Sequence, residues 1–331
     1  MPAEIPTAPT AAPSPLKFLG PQWFATVMGL AGLALAWSAA VPQMGAAASW
    51  VAQGVGALAL LVFAALLLLN IRREQLHPEA LSADLNHPVR HAFLAALPVS
   101  LILLATLGAA LFGAAVPWLV LWLLGCALQF AVTLWVLSRW TRGNVPGGFQ
   151  WPGITPVLII PVVGNVLAPL AGVALGEPAL AVAQLGLGMF LWPVVITLIF
   201  VRIGVQGLWP ERLLPSAFIT VAPPAVIGSA LLPLGAAPVW SQACWGIALF
   251  FLLWAASVLR TMLAQPFSIA WWALSFPLAA FAGLTLRLAP TGQPFALLAV
   301  PLLALSTLVI AWLVLQTVRG LRRGTLLVAE G

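Results

Sequence analysis

The chain has few of the residues on which protein chemistry usually depends. Its 331 residues include no tyrosine, two cysteines, three histidines and seven acidic residues, and only 6% of them are charged. Cys126 and Cys244 lack the spacing of a disulfide framework or a metal site. This composition excludes an ordinary soluble domain, and the absence of a P-loop motif argues against an ATP-driven pump.

Apolar residues dominate what remains. Hydrophobic residues make up 63% of the chain, and the mean hydropathy is +1.10. An α-helix needs about 20 apolar residues to cross a bilayer. Ten stretches meet this requirement, so the sequence predicts an all-α polytopic membrane protein. The spans are residues 19–40, 50–69, 92–112, 117–137, 154–175, 180–201, 216–234, 242–259, 268–288 and 294–318.

The basic residues orient these spans. Twelve of the thirteen Lys and Arg residues fall on the side of the N-terminus, and Arg287 alone falls on the other side. By the positive-inside rule both termini are expected to be cytoplasmic, in the plasma (inner) membrane. The basic residues that set this orientation also account for the pI near 11.3, so no nucleic-acid partner is expected. Residues 1–16 predict a disordered tail rather than a signal peptide, 17–320 the membrane domain and 321–331 a cytoplasmic tail.

Prolines are distributed unevenly between alternate spans. The even-numbered spans hold Pro193 and Pro301 in their interiors. The odd-numbered spans hold seven, namely Pro98, Pro156, Pro161, Pro169, Pro223, Pro224 and Pro277. An interior proline bends a helix, and the carbonyl it frees is tolerated at membrane depth only against protein or a wet cavity. The pattern predicts five helical hairpins around a central pore, with odd-numbered helices inside. The simpler alternative is that this parity is accidental, since proline is common in membrane helices.

The spans contain no clear acidic residue, lysine or histidine. Proton-coupled carriers usually need an intramembrane acid or histidine, so proton coupling is disfavoured. His77, His87 and His91 cluster around the loop between spans 2 and 3, and two of them precede prolines. A metal or haem site there, and with it an integral membrane enzyme or redox subunit, is the weaker interpretation. No catalytic residue, metal or cofactor is therefore predicted.

An uncharged path with a basic surround suits anions better than cations. Candidate lining residues are small polar side chains and the residues that bend or open the helices: Thr26, Gly29, Pro98, Pro161, Asn165, Thr220, Pro223, Pro277, Ala280 and Gly283. For each hydroxyl or amide, a hydrogen bond to a carbonyl of its own helix is an equal alternative.

Span 9 carries the most specific pattern. Helical spacing places Trp272, Phe276, Ala280, Gly283 and Arg287 on one stripe. This stripe fits a narrow tube in which Phe276 is an aromatic plug and Ala280 and Gly283 leave open space beyond it. Arg287 would then attract anions at the outer mouth. A Phe packed between helices and an Arg that reaches lipid phosphate fit the stripe equally well.

Several stretches resemble a known family. They are PQWFATVMGLAGLALAW (21–37), HPVRHAFLAALPVS (87–100), GLGMFLWP (186–193), FITVAPPAV (218–226) and AWWALSFPLAAFA (270–282). In this order they resemble the tellurite-resistance and C4-dicarboxylate transporter family, which includes bacterial TehA proteins and the slow anion channels of plant guard cells. The HPVR and WWxxSFP motifs are the most specific of them.

The resemblance implies ten helices in five hairpins, a homotrimer with one pore per subunit, and a gating phenylalanine in the ninth helix. Phe276 is the residue that matches this phenylalanine. The expected function is a passive channel for small inorganic or carboxylate anions. The alternative is a coupled carrier or exporter of dicarboxylate, sulfite or tellurite.

Overall fold

The computed structural model describes residues 14–143 and 148–328, and all the regular structure in these residues is helical. The predicted all-α class is therefore confirmed. Most of the predicted N-terminal tail, residues 1–13, lies outside the described residues, as do residues 329–331 of the predicted C-terminal tail. Pro15–Phe18 forms a short 3₁₀ turn in front of the first span.

Nine helices in the described residues are long and apolar enough to cross a membrane. A tenth apolar segment, in the place of predicted span 5, is shorter. In chain order, with the short segment as α5, they are α1 Pro21–Ala39, α2 Ala46–Leu76, α3 Arg90–Phe112, α4 Val116–Trp140, α5 Pro156–Gly172, α6 Pro178–Gln206, α7 Glu211–Leu231, α8 Pro238–Ala256, α9 Ile269–Thr291 and α10 Phe295–Arg322.

All five odd-numbered helices begin with a 3₁₀ segment before they continue as α-helix. These segments are Pro21–Phe24, Arg90–Ala95, Pro156–Leu158, Glu211–Val221 and Ile269–Leu274. Prolines account for the most broken case, α5, where Pro156, Pro161 and Pro169 interrupt the backbone ladder repeatedly. Pro193 and Pro301, by contrast, lie inside continuous α-helices. The odd-numbered helices therefore differ from the even-numbered ones in their 3₁₀ starts, and proline divides the backbone most clearly in α5.

Burial also alternates along the chain. In the most apolar 18-residue stretch of each of α1, α3, α7 and α9, between 67% and 94% of the residues are buried. In the corresponding stretch of each of the five even-numbered helices, the buried share is 22% to 33%. The buried helix α7 has a mean hydropathy of 1.5, whereas the exposed helices α2 and α10 reach 2.5. Exposed helices this apolar are not typical of a soluble bundle, whereas lipid solvates apolar side chains as well as a protein interior does. The exposed faces therefore suit a lipid environment.

Helix contacts follow the same parity. Each odd-numbered helix packs against the even-numbered helix that follows it, and α1, α3, α5, α7 and α9 contact one another in sequence, with α9 returning to α1. Small residues permit the closest approaches. A Cβ at Gly29 of α1 would lie 2.2 Å from the Ser275 hydroxyl of α9, so α1 and α9 pack with their backbones near one another.

Candidate functional site

Three cavities lie in series along the inward surfaces of the odd-numbered helices. We call them the inner vestibule, at the end that carries the basic loops, the middle cavity and the outer cavity. With space that is open to solvent included, they measure about 1190, 600 and 400 Å³ respectively. Ala25, Phe93 and Ala273 belong to the walls of both the vestibule and the middle cavity. The three spaces therefore form one tapering series.

The middle cavity is lined by all five odd-numbered helices and by no even-numbered one. Its described wall contains no charged or titratable side chain. The wall is formed by Ala25, Met28, Phe93, Val99, Ile159, Ile160, Val163, Gly164, Val166, Leu167, Ile219, Ala222, Pro223, Val226, Trp272, Ala273, Phe276 and Pro277. An ion in this cavity would find no side chain that takes up or releases a proton.

Phe276 lies where the middle cavity meets the outer cavity. Phe276 and Val226 line both spaces, and Phe276 is only 9% exposed. Across from the ring is Gly32 of α1, where a Cβ would come within 2.9 Å of the ring atom Cδ2. The absence of a side chain at position 32 therefore makes room for the ring.

Two hydrogen bonds fix the backbone in front of Phe276, one from α9 to α10 and one within α9. The 3₁₀ segment Ile269–Leu274 ends just before Phe276, and an α-helix begins at Ser275. The indole N–H of Trp272 donates to the Thr317 hydroxyl of α10 at 2.8 Å. The Ser275 hydroxyl donates to the Trp272 carbonyl at 2.6 Å. These bonds hold the turn that directs Phe276 between the two cavities.

Of the twelve predicted path residues, six line these cavities. Phe276, Pro223 and Pro277 line the middle cavity. Ala280, Gly283 and Arg287 line the outer cavity, together with Phe276. The stripe proposed for span 9 therefore follows one wall from the middle cavity to the outer end. Whether these residues contact a permeating ion stays a prediction.

The other six candidates lie in helix packing beside these cavities. The Thr26 and Thr220 hydroxyls donate to the carbonyls of Trp23 and Ala217, three residues back in their own helices. This is the alternative considered for each hydroxyl. Gly29 faces Ser275, and Pro98 is buried within α3.

Pro161 and Asn165 belong to a polar contact between α4 and α5. The carbonyl of Pro161 accepts from the Gln129 amide at 3.0 Å and from the Thr133 hydroxyl at 2.7 Å. The Asn165 amide donates to Thr133 Oγ1 at 2.8 Å. This contact supplies α5 with donors from α4 where prolines have interrupted its own ladder.

Other wall residues were not singled out from the sequence. Phe93, Ile160 and Val226 are ordinary apolar residues with no local pattern to distinguish them. Gly32 was also missed, and it lies against the Phe276 ring. Arg202 lines the vestibule, although the sequence analysis had assigned it to orientation only.

Charge is concentrated at the vestibule end. Asp84 lies between two arginines, with 2.7 Å to Arg73 and 3.1 Å to Arg90. Lys17 pairs with Glu79 at 3.0 Å on the surface, and this hydrogen bond lowers the pKa of the Glu79 carboxyl. At the far end of the series, Arg287 is the only charged side chain in the described wall of the outer cavity.

Together these features define a class: a polytopic α-helical membrane protein whose bundle contains an apolar series of cavities with a basic inner end. Comparison with known families then places the chain within that class. Residues 19–318 match the SLAC1 family, described as voltage-dependent anion channels, and the chain belongs to this family. The resemblance found in the sequence motifs is thereby confirmed.

Individual relatives are distant. S-type anion channel SLAH3 of Arabidopsis thaliana is 26% identical over 273 residues, which cover 81% of this chain and 42% of that protein. A tellurite resistance protein TehA homolog of Haemophilus influenzae is 26% identical over 266 residues, covering 78% of each. An uncharacterized transporter, MJ0576, of Methanocaldococcus jannaschii is 26% identical over 298 residues, covering 80% of this chain and 82% of that protein. The chain thus spans less than half the length of the plant channel.

Proposed function

We propose that this protein is a passive anion channel in which Phe276 is the gate. The observation that carries the proposal is the position of Phe276 at the junction of two cavities that the same five helices line. The ring lies between the uncharged middle cavity and the outer cavity, on a route from a basic vestibule to Arg287. Family membership supports anions as the transported species.

The architecture proposed with this function has ten helices in five hairpins, with the odd-numbered helices around the pore. The alternating burial and the contacts among α1, α3, α5, α7 and α9 support it. The resemblance supports a homotrimer with one pore per subunit, and the distribution of basic residues supports cytoplasmic termini in the plasma membrane. Small inorganic or carboxylate anions are the proposed permeants.

The chemistry of the walls favours a channel over a proton-coupled carrier. Coupling to protons requires a group that binds and releases them along the path. The middle cavity has no titratable side chain in its described wall, and Arg287 is the only charged one in that of the outer cavity. Anion flux in proteoliposomes should therefore persist when a pH gradient is removed at constant membrane potential. Flux that collapses would favour the carrier.

Replacement of Phe276 with Ala tests the gate directly. Loss of the ring joins the middle and outer cavities, so we expect anion conductance to rise at least severalfold over that of the unmodified protein. Currents should be recorded in planar bilayers or oocytes under chloride and nitrate gradients, with protein amounts matched at the membrane.

Phe281→Ala is the matched control. Phe281 lies in the same helix and is 1% exposed, but it stacks on Trp245 of α8 and is absent from the walls of the three cavities. Removal of the Phe281 ring weakens the packing against Trp245 but does not join the cavities. Equal currents from Phe276→Ala and Phe281→Ala, or unchanged currents from both, would rule out Phe276 as the gate.

A further inference from the structure

The inner end of α4, at the end of the bundle that carries the basic loops, holds two arginines outside the series of cavities. Arg139 lies in the last turn of α4. Arg142 follows one turn later, and its backbone N–H donates to the Arg139 carbonyl at 3.1 Å. Neither residue belongs to the described wall of any of the three cavities. The proposed anion path therefore does not account for these two cations.

No carboxylate neutralises these arginines. The sequence has no acidic residue between Asp84 and Glu177, and the ion pairs found among the described residues include neither Arg139 nor Arg142. Arg139 is only 5% exposed, and its Nε has no hydrogen-bond partner in the described part of the chain. A buried guanidinium without a counter-charge is costly, so an anion that provides one binds favourably.

Aromatic packing holds Arg139 in place. Its Cζ lies 5.0 Å from the centroid of the Trp135 ring, in a cation–π contact. Trp135 in turn meets the ring of His91 from α3 edge to face, with the centroids 6.1 Å apart. The carbonyl of His87 accepts from Nδ1 of buried His91 at 2.9 Å. Because a ring face contacts the guanidinium without accepting its N–H groups, those groups stay available to an oxyanion.

An apolar stripe along α4 leads to these arginines. Leu124 and Leu128 are exposed, and Trp135 and Arg142 follow them at helical spacing. An inorganic anion would contact only the arginines, whereas a lipid would also lay an acyl chain along the stripe. The surface therefore fits a ligand with an anionic head and an apolar tail.

Further aromatic residues mark this level as a membrane interface. Trp140 packs on Phe149 with ring centroids 4.6 Å apart, and Trp151 is partly exposed nearby in sequence. The buried indole N–H of Trp140 has no hydrogen-bond partner among the residues that the structure describes. Tryptophan is enriched where helices reach the lipid headgroups. The arginines thus lie at the depth where lipid phosphates are found.

We propose that the inner end of α4 is a binding site for an acidic phospholipid, with Arg139 as the main phosphate ligand and Arg142 as a second cation. The planar guanidinium of Arg139 donates parallel hydrogen bonds to two oxygens of one phosphate. An acyl chain lies along the stripe that contains Leu124 and Leu128. This site goes beyond the proposed channel function, since it lies on the lipid-facing side of α4.

Thermal unfolding of the purified full-length protein in dodecyl maltoside micelles tests the site. Dioleoyl phosphatidylglycerol, dioleoyl phosphatidylcholine and inorganic phosphate are titrated separately at constant ionic strength, which removes general screening from the comparison. A ligand that binds only the folded protein raises its thermal stability in a saturable way. We expect this from phosphatidylglycerol, a smaller effect from phosphatidylcholine, which has no net charge, and none from inorganic phosphate.

Substitutions at the two arginines test the ligands. Arg139→Gln should raise the half-saturating mole fraction of phosphatidylglycerol about tenfold, because a charge-assisted contact to phosphate is lost. Arg139→Lys keeps the charge but not the planar group on Trp135, so it should raise this mole fraction severalfold. Arg142 is exposed, and Arg142→Gln should do likewise without disturbing folding.

Arg322→Gln is the matched control. Arg322 is an exposed arginine in the last turn of α10, at the same end of the bundle. An exposed charge of this kind contributes little, so the half-saturating mole fraction should change by less than about twofold.

Stabilisation by phosphatidylglycerol that is equal in Arg139→Gln, Arg142→Gln and Arg322→Gln would overturn the site. If Arg139→Gln does not fold, the comparison of Arg142→Gln with Arg322→Gln still decides. Inorganic phosphate that stabilises the protein as well as phosphatidylglycerol does would identify a free anion as the ligand and overturn the lipid. Phosphatidylcholine that is equally effective would overturn the need for an acidic headgroup. No current is measured, so the result does not depend on the gate at Phe276.

Discussion

At the scale of single residues, the position of a charge decides what it does. Eleven arginines and one lysine were assigned to orientation from the sequence, yet three of those arginines also line the vestibule. Arg287 was singled out because the predicted topology places it on the opposite side, and in the structure it lines the outer cavity. A guanidinium there raises the local concentration of anions within a Debye length of about 8 Å at physiological salt.

We expect Arg287→Ala to lower anion conductance in the Phe276→Ala background by roughly twofold to fivefold at low salt, with a smaller effect at high salt. The measurement is single-channel current against salt concentration. Arg287→Lys retains the charge and should behave like the parent. A conductance that is the same with Arg, Lys and Ala at this position would favour an arginine that contacts lipid phosphate.

At the scale of elements, α5 depends on its neighbour. Its prolines prevent a continuous hydrogen-bond ladder, and the carbonyls of Ile160 and Pro161 accept donors from α4 instead. Thr133 has the central role, because its hydroxyl contacts the carbonyls of Gln129 and Pro161 and accepts from the Asn165 amide. α4 is therefore more than a lipid-facing cover for the helix that lines the cavities.

Thr133→Val keeps the side-chain shape and removes this hydroxyl. We expect the free energy of unfolding to fall by about 1–2 kcal/mol, because hydrogen bonds between membrane helices are individually modest and at least one buried donor loses its partner. Thermal unfolding in detergent measures the change. The control is Thr141→Val, which removes an exposed hydroxyl that bonds only within its own turn. Equal stability of the two variants would show that α5 does not need this contact.

The contact between α1 and α9 gives a second test at this scale. A Cβ at Gly29 would meet the Ser275 side chain at 2.2 and 2.5 Å, so Gly29→Ala should destabilise the protein by roughly 1–3 kcal/mol. Ser275→Gly in the same chain removes the atoms that clash, so the double variant should regain stability over Gly29→Ala. Gly54→Ala is the control, since nothing lies within 4 Å of its Cβ. Thermal unfolding again provides the readout, and a Gly29→Ala protein as stable as Gly54→Ala would contradict the close packing.

At the scale of the whole molecule, orientation rests on the loops that carry basic residues. We expect a C-terminal green fluorescent protein fusion to fluoresce and a C-terminal alkaline phosphatase fusion to be inactive in a bacterial host, because the positive-inside rule predicts that both termini are cytoplasmic. A phosphatase fusion placed at Gly292, after Arg287, should be active. Activity at the C-terminus and none at Gly292 would reverse the proposed orientation.

Much of this architecture followed from the sequence. Hydropathy located nine of the ten spans as long helices, and proline parity indicated which helices are bent. The fifth span was expected over residues 154–175 with bends at its interior prolines, and the structure has a shorter, broken segment, Pro156–Gly172. Hydropathy measures apolarity without regard to backbone hydrogen bonds, so it does not show how three prolines divide a span.

The candidate path was predicted less completely. Bulk, aromaticity and the following proline singled out Phe276 within span 9, and the structure places it between two cavities. Thr26 and Thr220 could equally have faced a path or their own helices, and they bond to their own helices. Local sequence does not decide this, because the orientation of a hydroxyl depends on how its helix is rotated against its neighbours.

The sequence by itself determined the class of protein, the approximate number of apolar segments, the asymmetry of charge and the scarcity of acidic residues, lysine and histidine within them. These properties depend on the composition and on the order of residues along the chain. They do not depend on how the helices pack. The tertiary structure alone decided which faces of the five odd-numbered helices line the cavities and which glycine accommodates the Phe276 ring. It also brought the HPVR motif beside Arg202 and Arg212. Such contacts join residues more than a hundred positions apart, and only the packing of helix against helix sets those distances.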